Sequence, residues 1–145
     1  MKITIGCDHA AYEEKTQLKS FLEELGHEVE DLGPFSADRV NYPDFATKVA
    51  KKVSAQKGVG ILLCGSGIGV SMVANRYAGI RAALIRTEEE AKLSRQHNDA
   101  NILCMGARLL DMDTMKSLAK IWLETEFEGG RHSERIALFD ELGEK

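Results

Sequence analysis

The sequence predicts a single α/β domain in which helices cover both faces of a five-stranded parallel sheet. Two observations support this fold class: five short apolar runs suit buried strands, and segments with helical periodicity alternate with them. The length of 145 residues fits one domain, and 43% hydrophobic residues can supply its core. No internal repeat, low-complexity stretch or linker divides the chain. We therefore expect one domain over residues 1–145.

The first half of the chain reads as three strands separated by two helices. The β-branched run at the start and the clear apolar run before Cys64 are typical of buried strands. Gly26 is a natural helix stop, Gly33 and Pro34 end a strand, and Pro43 can open a helix. The predicted elements, in order, are a strand at 2–6, a helix at about 10–25, a strand at 27–32, a helix with its apolar face at Phe45, Val49 and Val53, and a strand at 59–64.

The second half continues the same alternation. Three glutamates at 88–90 suit the first turn of a helix, where the helix dipole favours negative charge. Gly129 and Gly130 break the pattern before a last helix. The predicted elements are a helix from the turn after Cys64 to about Tyr77, a strand at 80–85, a helix at 87–96, a strand at 101–105, and helices at about 113–126 and 133–142.

Charge and hydropathy exclude two classes of function. Lys and Arg number 19 against 23 Asp and Glu, a formal net charge of −4 that argues against a general nucleic-acid binder. No apolar run is long enough to span a membrane, and the N-terminus meets Asp8 and His9 too early for a signal peptide. We therefore expect a cytoplasmic protein with no membrane or nucleic-acid partner.

The cysteines and histidines predict neither a disulfide framework nor a metal site. Three cysteines without a CxxC pair fit a reducing compartment. The four histidines lie far apart in sequence, and none has zinc-ligand spacing with a cysteine. Whether Cys7 approaches Cys64 closely enough to form a disulfide is left open by the sequence.

A glycine-rich turn follows the clearest strand. The run Gly65-Ser66-Gly67-Ile68-Gly69 lets the backbone approach a ligand, and the helix start offers amides suited to an anion. It is neither a dinucleotide fingerprint nor a P-loop, because the spacing and the Gly-Lys-Ser/Thr ending differ. The other interpretation is a tight turn that needs glycine for its geometry alone, and we favour the anion site.

Cys64 stands where the strand ends and this turn begins. A thiol beside a helix N-terminus can act as a base or nucleophile, whereas cysteine is also a common small core residue. Its position alone leaves the two interpretations equally open.

Other polar residues with chemical potential lie outside this turn. Asp8 and His9 follow the first strand, and if the first and third strands flank the point where strand order reverses, they meet the Cys64 turn there. Each also has a structural interpretation: Asp8 as a helix cap, His97 as a helix-end cation, Arg131 and Arg135 as solvated surface charges. Taken singly, none decides the function.

Five ordered segments together carry a resemblance that covers essentially the whole chain. They are GCDHAAY at 6–12, NYPDFA at 41–46, LLCGSGIGVSMVANRYAGIRAAL at 62–84, SRQHNDANIL at 94–103 and EGGRHSER at 128–135. The sequence resembles the family of type B ribose-5-phosphate isomerases, which also holds galactose-6-phosphate isomerase subunits. The resemblance implies a Rossmann-like three-layer domain without metal or nicotinamide, assembled as a homodimer or tetramer with active sites shared between subunits.

The resemblance also implies a reaction and its residues. Ribose 5-phosphate and ribulose 5-phosphate would interconvert through an enediolate, with Cys64 as the base, His97 opening the sugar ring and Ser66 assisting. The implied phosphate ligands are His9, Arg131 and Arg135. The remaining implied substrate contacts are Asp8, Tyr42, Gly65, Gly67, Ile68, Gly69, Asn98, Arg108 and His132, and the helix at about 133–142 is expected to pack on the neighbouring subunit.

Two alternatives to this activity are kept. The first is an isomerase of another aldose phosphate, such as allose 6-phosphate, because pocket packing decides between five and six carbons. The second is a non-catalytic sugar-phosphate-binding module, which would be expected to lack the base and the ring-opening histidine. A flavodoxin-like domain is set aside because a phosphate loop would follow the first strand, where Cys7, Asp8 and His9 stand.

Overall fold

A computed structural model describes residues 1–143 and places five strands in one parallel sheet. The strands are β1 (Lys2–Cys7), β2 (Glu28–Asp31), β3 (Val59–Cys64), β4 (Ala82–Leu84) and β5 (Ile102–Gly106). Their order is β2-β1-β3-β5-β4, and every neighbouring pair is parallel. The predicted α/β class is confirmed. Residues 144 and 145 of the predicted domain lie outside the described residues.

Helices form a layer on each face of the sheet. They are α1 (Tyr12–Glu24), α2 (Tyr42–Gln56), α3 (Ile68–Ala74), α4 (Glu88–Gln96), α5 (Met112–Glu124) and α6 (Arg131–Ala137), with single 3-10 turns at His9–Ala11 and Leu138–Glu141. Helices α1, α4 and α5 pack on one face, where Leu18 and Trp122 are fully buried. Helices α2 and α3 cover the other face through residues such as Val49 and Val70. Each such buried apolar side chain contributes about 1.5–3 kcal/mol of stability.

The structure corrects the boundaries of three predicted elements. The last helix begins at Arg131 rather than near residue 133, because Gly129 and Gly130 both have positive φ and turn the chain immediately before it. It ends at Ala137, and the 3-10 turn replaces the rest of the predicted helix at 133–142. The edge strand β4 is shorter than 80–85, and α3 stops at Ala74 before isolated turns continue toward Tyr77.

The order of the strands fixes where ligands are expected to bind. From β1 the chain moves outward to β2, then returns to β3 on the other side of β1 and continues away from it. Strand order therefore reverses between β1 and β3, which meets the condition set in the sequence analysis, and ligands of such sheets bind beyond the carboxyl ends of those strands. Within residues 1–143, no helix combines the length and apolar character that crossing a membrane requires.

Candidate active site

The two segments predicted to meet at the strand reversal lie side by side. Asp8 follows β1, and its backbone amide donates a hydrogen bond to the carbonyl of Leu63 in β3 at 3.1 Å. The Asp8 carboxylate is 8% exposed, and its Oδ1 accepts from the amide of Ala10 at 3.0 Å. The carboxylate is therefore fixed at the start of the 3-10 turn, next to the end of the strand that carries Cys64.

Cys64 ends β3 with its sulfur turned into the glycine-rich turn. The residue is 5% exposed, and its Sγ accepts a hydrogen bond from the amide of Gly67 at 3.1 Å. Gly67 has φ +79°, and a Cβ there would lie 2.8 Å from Leu84 and 2.9 Å from the backbone of Met105. Glycine is required at this position for both reasons. The turn thus holds the thiol among backbone amides.

Two larger side chains close over this turn. The Tyr42 ring packs on Gly69, where a Cβ would lie 2.6 Å from its Cζ. The Arg108 side chain passes over Gly65, where a Cβ would lie 3.4 Å from its Cδ. The amide of Arg108 also donates to the carbonyl of Gly65 at 3.0 Å. A phenol and a guanidinium therefore border the cysteine turn.

His9 has its ring orientation set by the backbone of Val40. Its Nδ1 lies 3.1 Å from the Val40 amide and 3.2 Å from the Val40 carbonyl oxygen. Of the two contacts we assign the shorter as the hydrogen bond, in which the Val40 amide donates to Nδ1, and this assignment places the ring proton on Nε2. His9 then offers an N–H donor on the side of the ring opposite Val40. Together these residues form a carboxyl-edge group, composed of Asp8, His9, Tyr42, the turn at 64–69 and Arg108.

The structure also answers the question left open about Cys7. Cys7 belongs to the core under α1 and α5, whereas Cys64 belongs to the core under α2 and α3. The two thiols project from opposite faces of the sheet, so no disulfide can join them without moving the backbone. Burial also raises the pKa of Cys7 to about 12. Cys7 is therefore an inert core thiol.

A second set of predicted site residues gathers around His97. The His97 ring stacks on that of His132 with centroids 4.4 Å apart and an interplanar angle of 15°. His132 is 7% exposed, and its Nε2 lies 3.7 Å from Oε2 of Glu128. Burial lowers the pKa of His132, and the nearby His97 and Arg131 lower it further. This stack, with Asn98, Arg131 and Arg135, forms an amino-edge group.

The stacked histidines have the composition of a metal site but not its geometry. Possible ligand atoms of His97, Glu128 and His132 all lie within 4.8 Å of one another. Two imidazoles that share one ion direct their in-plane lone pairs at a common point, whereas nearly parallel stacked rings direct them along separate planes. We interpret the cluster as a pair of stacked rings with a carboxylate nearby, and independence from metals stays a prediction.

The carboxyl-edge and amino-edge groups do not meet within one chain. His97 precedes β5, which runs from Ile102 to Gly106, and Gly106 pairs with Cys64 at the far end. The four residue steps of β5 alone span about 13 Å at 3.3 Å per residue. The base and the ring-opening histidine implied by the resemblance therefore lie at opposite edges of the sheet.

Sequence reasoning missed the residues that orient the predicted site. The Val40 amide, which fixes His9, is 31 positions away in sequence and carries no side-chain signal. Glu128 was not singled out, although it lies four residues before His132 and close to its ring. Lys15 could have been noticed in the sequence, because it is in helical register with Leu18 and Leu22 and so places a charge on the buried face of a helix.

Comparisons with known proteins agree with this architecture. The family model described as Ribose/Galactose Isomerase matches residues 3–139. Ribose-5-phosphate isomerase B of Escherichia coli is 43% identical over 136 residues, covering 93% of this chain and 91% of that protein.

Two solved structures are similar in three dimensions. Ribose-5-phosphate isomerase B of Clostridium thermocellum has a TM-score of 0.95 and 44% identity, covering 97% of this chain and 96% of that one. The Mycoplasma genitalium enzyme with bound ribulose-5-phosphate has a TM-score of 0.93 and 38% identity, with 97% and 94% covered. The predicted family and isomerase class are confirmed: the chain belongs to the ribose/galactose isomerase family.

Proposed function

We propose that this protein interconverts ribose 5-phosphate and ribulose 5-phosphate through an enediolate, without a metal or cofactor. The observation that carries the proposal is the Cys64 thiol held against the amide-lined turn, beside the buried Asp8 carboxylate. Its relatives include one whose structure contains bound ribulose-5-phosphate. A cytoplasmic location remains part of the proposal.

The proton transfer requires one base and an oxygen-stabilising environment. In the open-chain aldose, the Cys64 thiolate removes the proton from C2, and the electron pair moves to the carbonyl oxygen at C1. The amide of Gly69 lies in the first turn of α3 and has no helical carbonyl partner, so it can donate to that oxygen. Preorganised donors of this kind contribute about 3–4 kcal/mol each. Transfer of the O2 hydroxyl proton to O1 forms the carbonyl at C2, and return of the proton from Cys64 to C1 completes the ketose.

Ser66 is suited to assist at the same oxygen. Its Oγ accepts a hydrogen bond from the amide of Ile68 at 3.2 Å, which leaves the hydroxyl proton free to point elsewhere. Donation of that proton to the enediolate would add a neutral hydrogen bond to those of the backbone. Gly65 and Gly67 let the substrate approach the backbone, and Tyr42 borders the same space by packing on Gly69.

The phosphate is bound by arginine guanidinium groups and by an imidazole N–H donor. His9 contributes its Nε2–H, since Val40 occupies Nδ1, and Arg108 supplies a guanidinium beside the cysteine turn. Arg131 and Arg135 are one turn apart on α6, a spacing that suits two guanidinium forks on one anion. Both belong to the amino-edge group, so they must come from another chain.

The active unit that we propose is therefore at least a homodimer. A second copy would bring its amino-edge group to the carboxyl-edge group of the first. His97 of that copy opens the furanose by moving protons at the ring oxygen and the anomeric hydroxyl, and Asn98 and His132 complete the pocket. The exposed apolar residues that continue α6, Leu138, Phe139 and Leu142, support the expected packing of this segment on a neighbouring subunit.

The proposal is tested by turnover of ribose 5-phosphate in EDTA, with allose 6-phosphate assayed alongside. We expect efficient conversion of the five-carbon sugar at an undiminished rate in the chelator. A Cys64→Ser preparation, purified identically, controls for contaminating isomerase. Activity on the six-carbon sugar alone would keep the mechanism and change the substrate. Inactivity on both by the folded protein would favour the sugar-phosphate-binding module.

A further inference from the structure

Lys15 is a fully buried charged residue that the proposed reaction does not use. It lies on α1 in register with Leu18 and Leu22, and its side chain has no exposed surface. A buried ammonium is unfavourable unless it is paired and hydrogen-bonded. The groups that pair with the ammonium therefore indicate which parts of the structure Lys15 holds together.

The partners of Lys15 lie at the end of β2 and in the segment that follows. Its Nζ donates to Oδ1 of Asp31 at 2.8 Å and to the carbonyl oxygen of Pro34. The ammonium also lies 5.3 Å from the Phe35 ring centroid and 5.4 Å from that of Tyr12, within the range of cation–π attraction. One side chain thus joins α1 to the last residue of β2 and to Pro34 and Phe35 in the segment that follows.

Asp31 extends this connection to the carboxyl-edge group. The same Oδ1 accepts from the amide of Gly33 at 2.8 Å, and the carbonyl of Gly33 accepts from the amide of Cys7 at 3.2 Å. Cys7 immediately precedes Asp8 and His9. The Lys15–Asp31 pair therefore fixes the start of the segment 33–41 against the strand end that carries the predicted phosphate ligand.

The other end of this segment sets the orientation of His9. Val40 donates its amide to His9 Nδ1, while residues 35–39 between the two attachments are exposed. An exposed stretch with few packing contacts depends on its fixed ends for its position. The Lys15–Asp31 pair is the buried attachment at one of those ends.

We propose that Lys15 and Asp31 are positioning residues that, through the segment 33–41, hold His9 in the tautomer and orientation that bind the phosphate. The effect on the tautomer and orientation of His9 is the structural half of the proposal, and it does not depend on the function proposed above. The effect on phosphate binding is the functional half, and it rests on the proposed function because it takes the ligand of His9 to be the substrate phosphate. The test separates the two.

The structural half is tested by NMR of protein labelled with ¹⁵N in histidine. The wild-type His9 resonances, identified by their loss in His9→Gln, should show a fixed Nε2–H tautomer. In Lys15→Met, which keeps an unbranched buried chain, we expect them to shift to the averaged values of a mobile ring. Lys19→Met is the matched control, because the Lys19–Glu23 pair on the same helix is exposed. A folded Lys15→Met protein with unchanged His9 signals would overturn the proposal.

The functional half is tested by kinetics and by inorganic phosphate as a competing ligand. Loss of an oriented donor to the phosphate should raise KM about tenfold in Lys15→Met, with a smaller change in kcat. The inhibition constant of inorganic phosphate should rise in parallel. In a His9→Gln background, Lys15→Met should have little further effect on either quantity, because the two changes act through one ring. Independent, multiplicative effects of the two substitutions would refute the connection.

A milder variant keeps the proposal testable if Lys15→Met does not fold. Asp31→Asn retains an acceptor for Gly33 and removes the charge that neutralises Lys15. We expect the same changes in His9 and in phosphate affinity, at smaller size. Unchanged His9 signals and unchanged phosphate inhibition in folded Asp31→Asn would count against the proposal in the same way.

Discussion

Mixing two inactive variants tests whether the active site is built from two chains. Cys64→Ser removes the proposed base from the carboxyl-edge group, and His97→Asn removes the proposed ring-opening group from the amino-edge group. A dimer with one chain of each kind contains one site in which both groups are native and one site in which both are absent. Each pure variant contains only half-equipped sites. Activity should therefore return when the chains are combined.

The size of the recovery follows from the symmetry of the dimer. Random association of equal amounts makes half of the dimers mixed, and each mixed dimer has one competent site of two, so about a quarter of the wild-type specific activity returns. Purified mixed dimers should reach about half of it. A site completed within one chain would need His97 and Cys64 to approach within about 3–3.5 Å of one substrate. The span of β5 between them prevents this approach.

The assay uses co-expression of the two variants with different affinity tags, followed by sequential purification on both tags. Turnover is measured on ribose 5-phosphate, because the closed sugar requires both functions. Co-expressed chains that carry the same substitution under both tags provide the control for the tags. Mixed dimers that are no more active than their parents would refute the shared site and place both functions in one subunit.

Four further outcomes follow from the geometry. Cys64→Ala should lower kcat on the order of 10²–10⁴-fold in steady-state kinetics while thermal melting stays close to wild type, and a near-native rate would contradict the assignment of the base. His97→Asn should lose turnover of closed-ring substrate and retain part of it on an open-chain analogue, whereas equal loss on both would argue against ring opening. Gly67→Ala should lower the free energy of unfolding by about 1–3 kcal/mol in urea titrations, because φ +79° and contacts below 3 Å oppose a Cβ. An unchanged urea midpoint would contradict the inference that a Cβ is strained at this position. The pKa of His132 is lowered in the folded state, so the unfolded chain binds more protons. The free energy of unfolding should therefore fall as pH drops below about 6.5. Urea titrations of His132→Asn should show a weaker dependence of stability on pH over the same window.

Residues that immediately follow strands were placed correctly by sequence reasoning. The strand β3 ends at Cys64 as predicted, since an apolar run marks it and Gly65 follows, whereas β1 extends one residue beyond the predicted 2–6 to include Cys7. Parallel strands then bring Asp8 and Cys64 to one edge whatever their distance in sequence. The orientation of His9 could not be predicted, because it depends on a backbone amide that no residue type identifies.

The separation of His97 from Cys64 could have been predicted from the order of helices and strands, but the sequence analysis did not make that prediction. A residue at the end of a helix that leads into a parallel strand lies at the amino edge of the sheet, whereas a residue after a strand lies at the carboxyl edge. His97 ends α4 ahead of β5, so its placement opposite Cys64 follows from the order of the elements alone. The resemblance implied a shared site, and this rule underlies our proposal for the residues that each chain contributes.

This division gives a physical reason for assembly. In the proposed reaction the turns after β1 and β3 supply the base, the amide donors and part of the phosphate site, and both turns are anchored in the sheet. His97, the proposed ring-opening group, is supported at the other edge by the stack with His132, which lies near the carboxylate of Glu128. No rearrangement of loops brings these supports together, because the sheet lies between them. In the proposed dimer a second chain supplies the missing group, and so we expect catalysis to depend on assembly while folding of the domain does not.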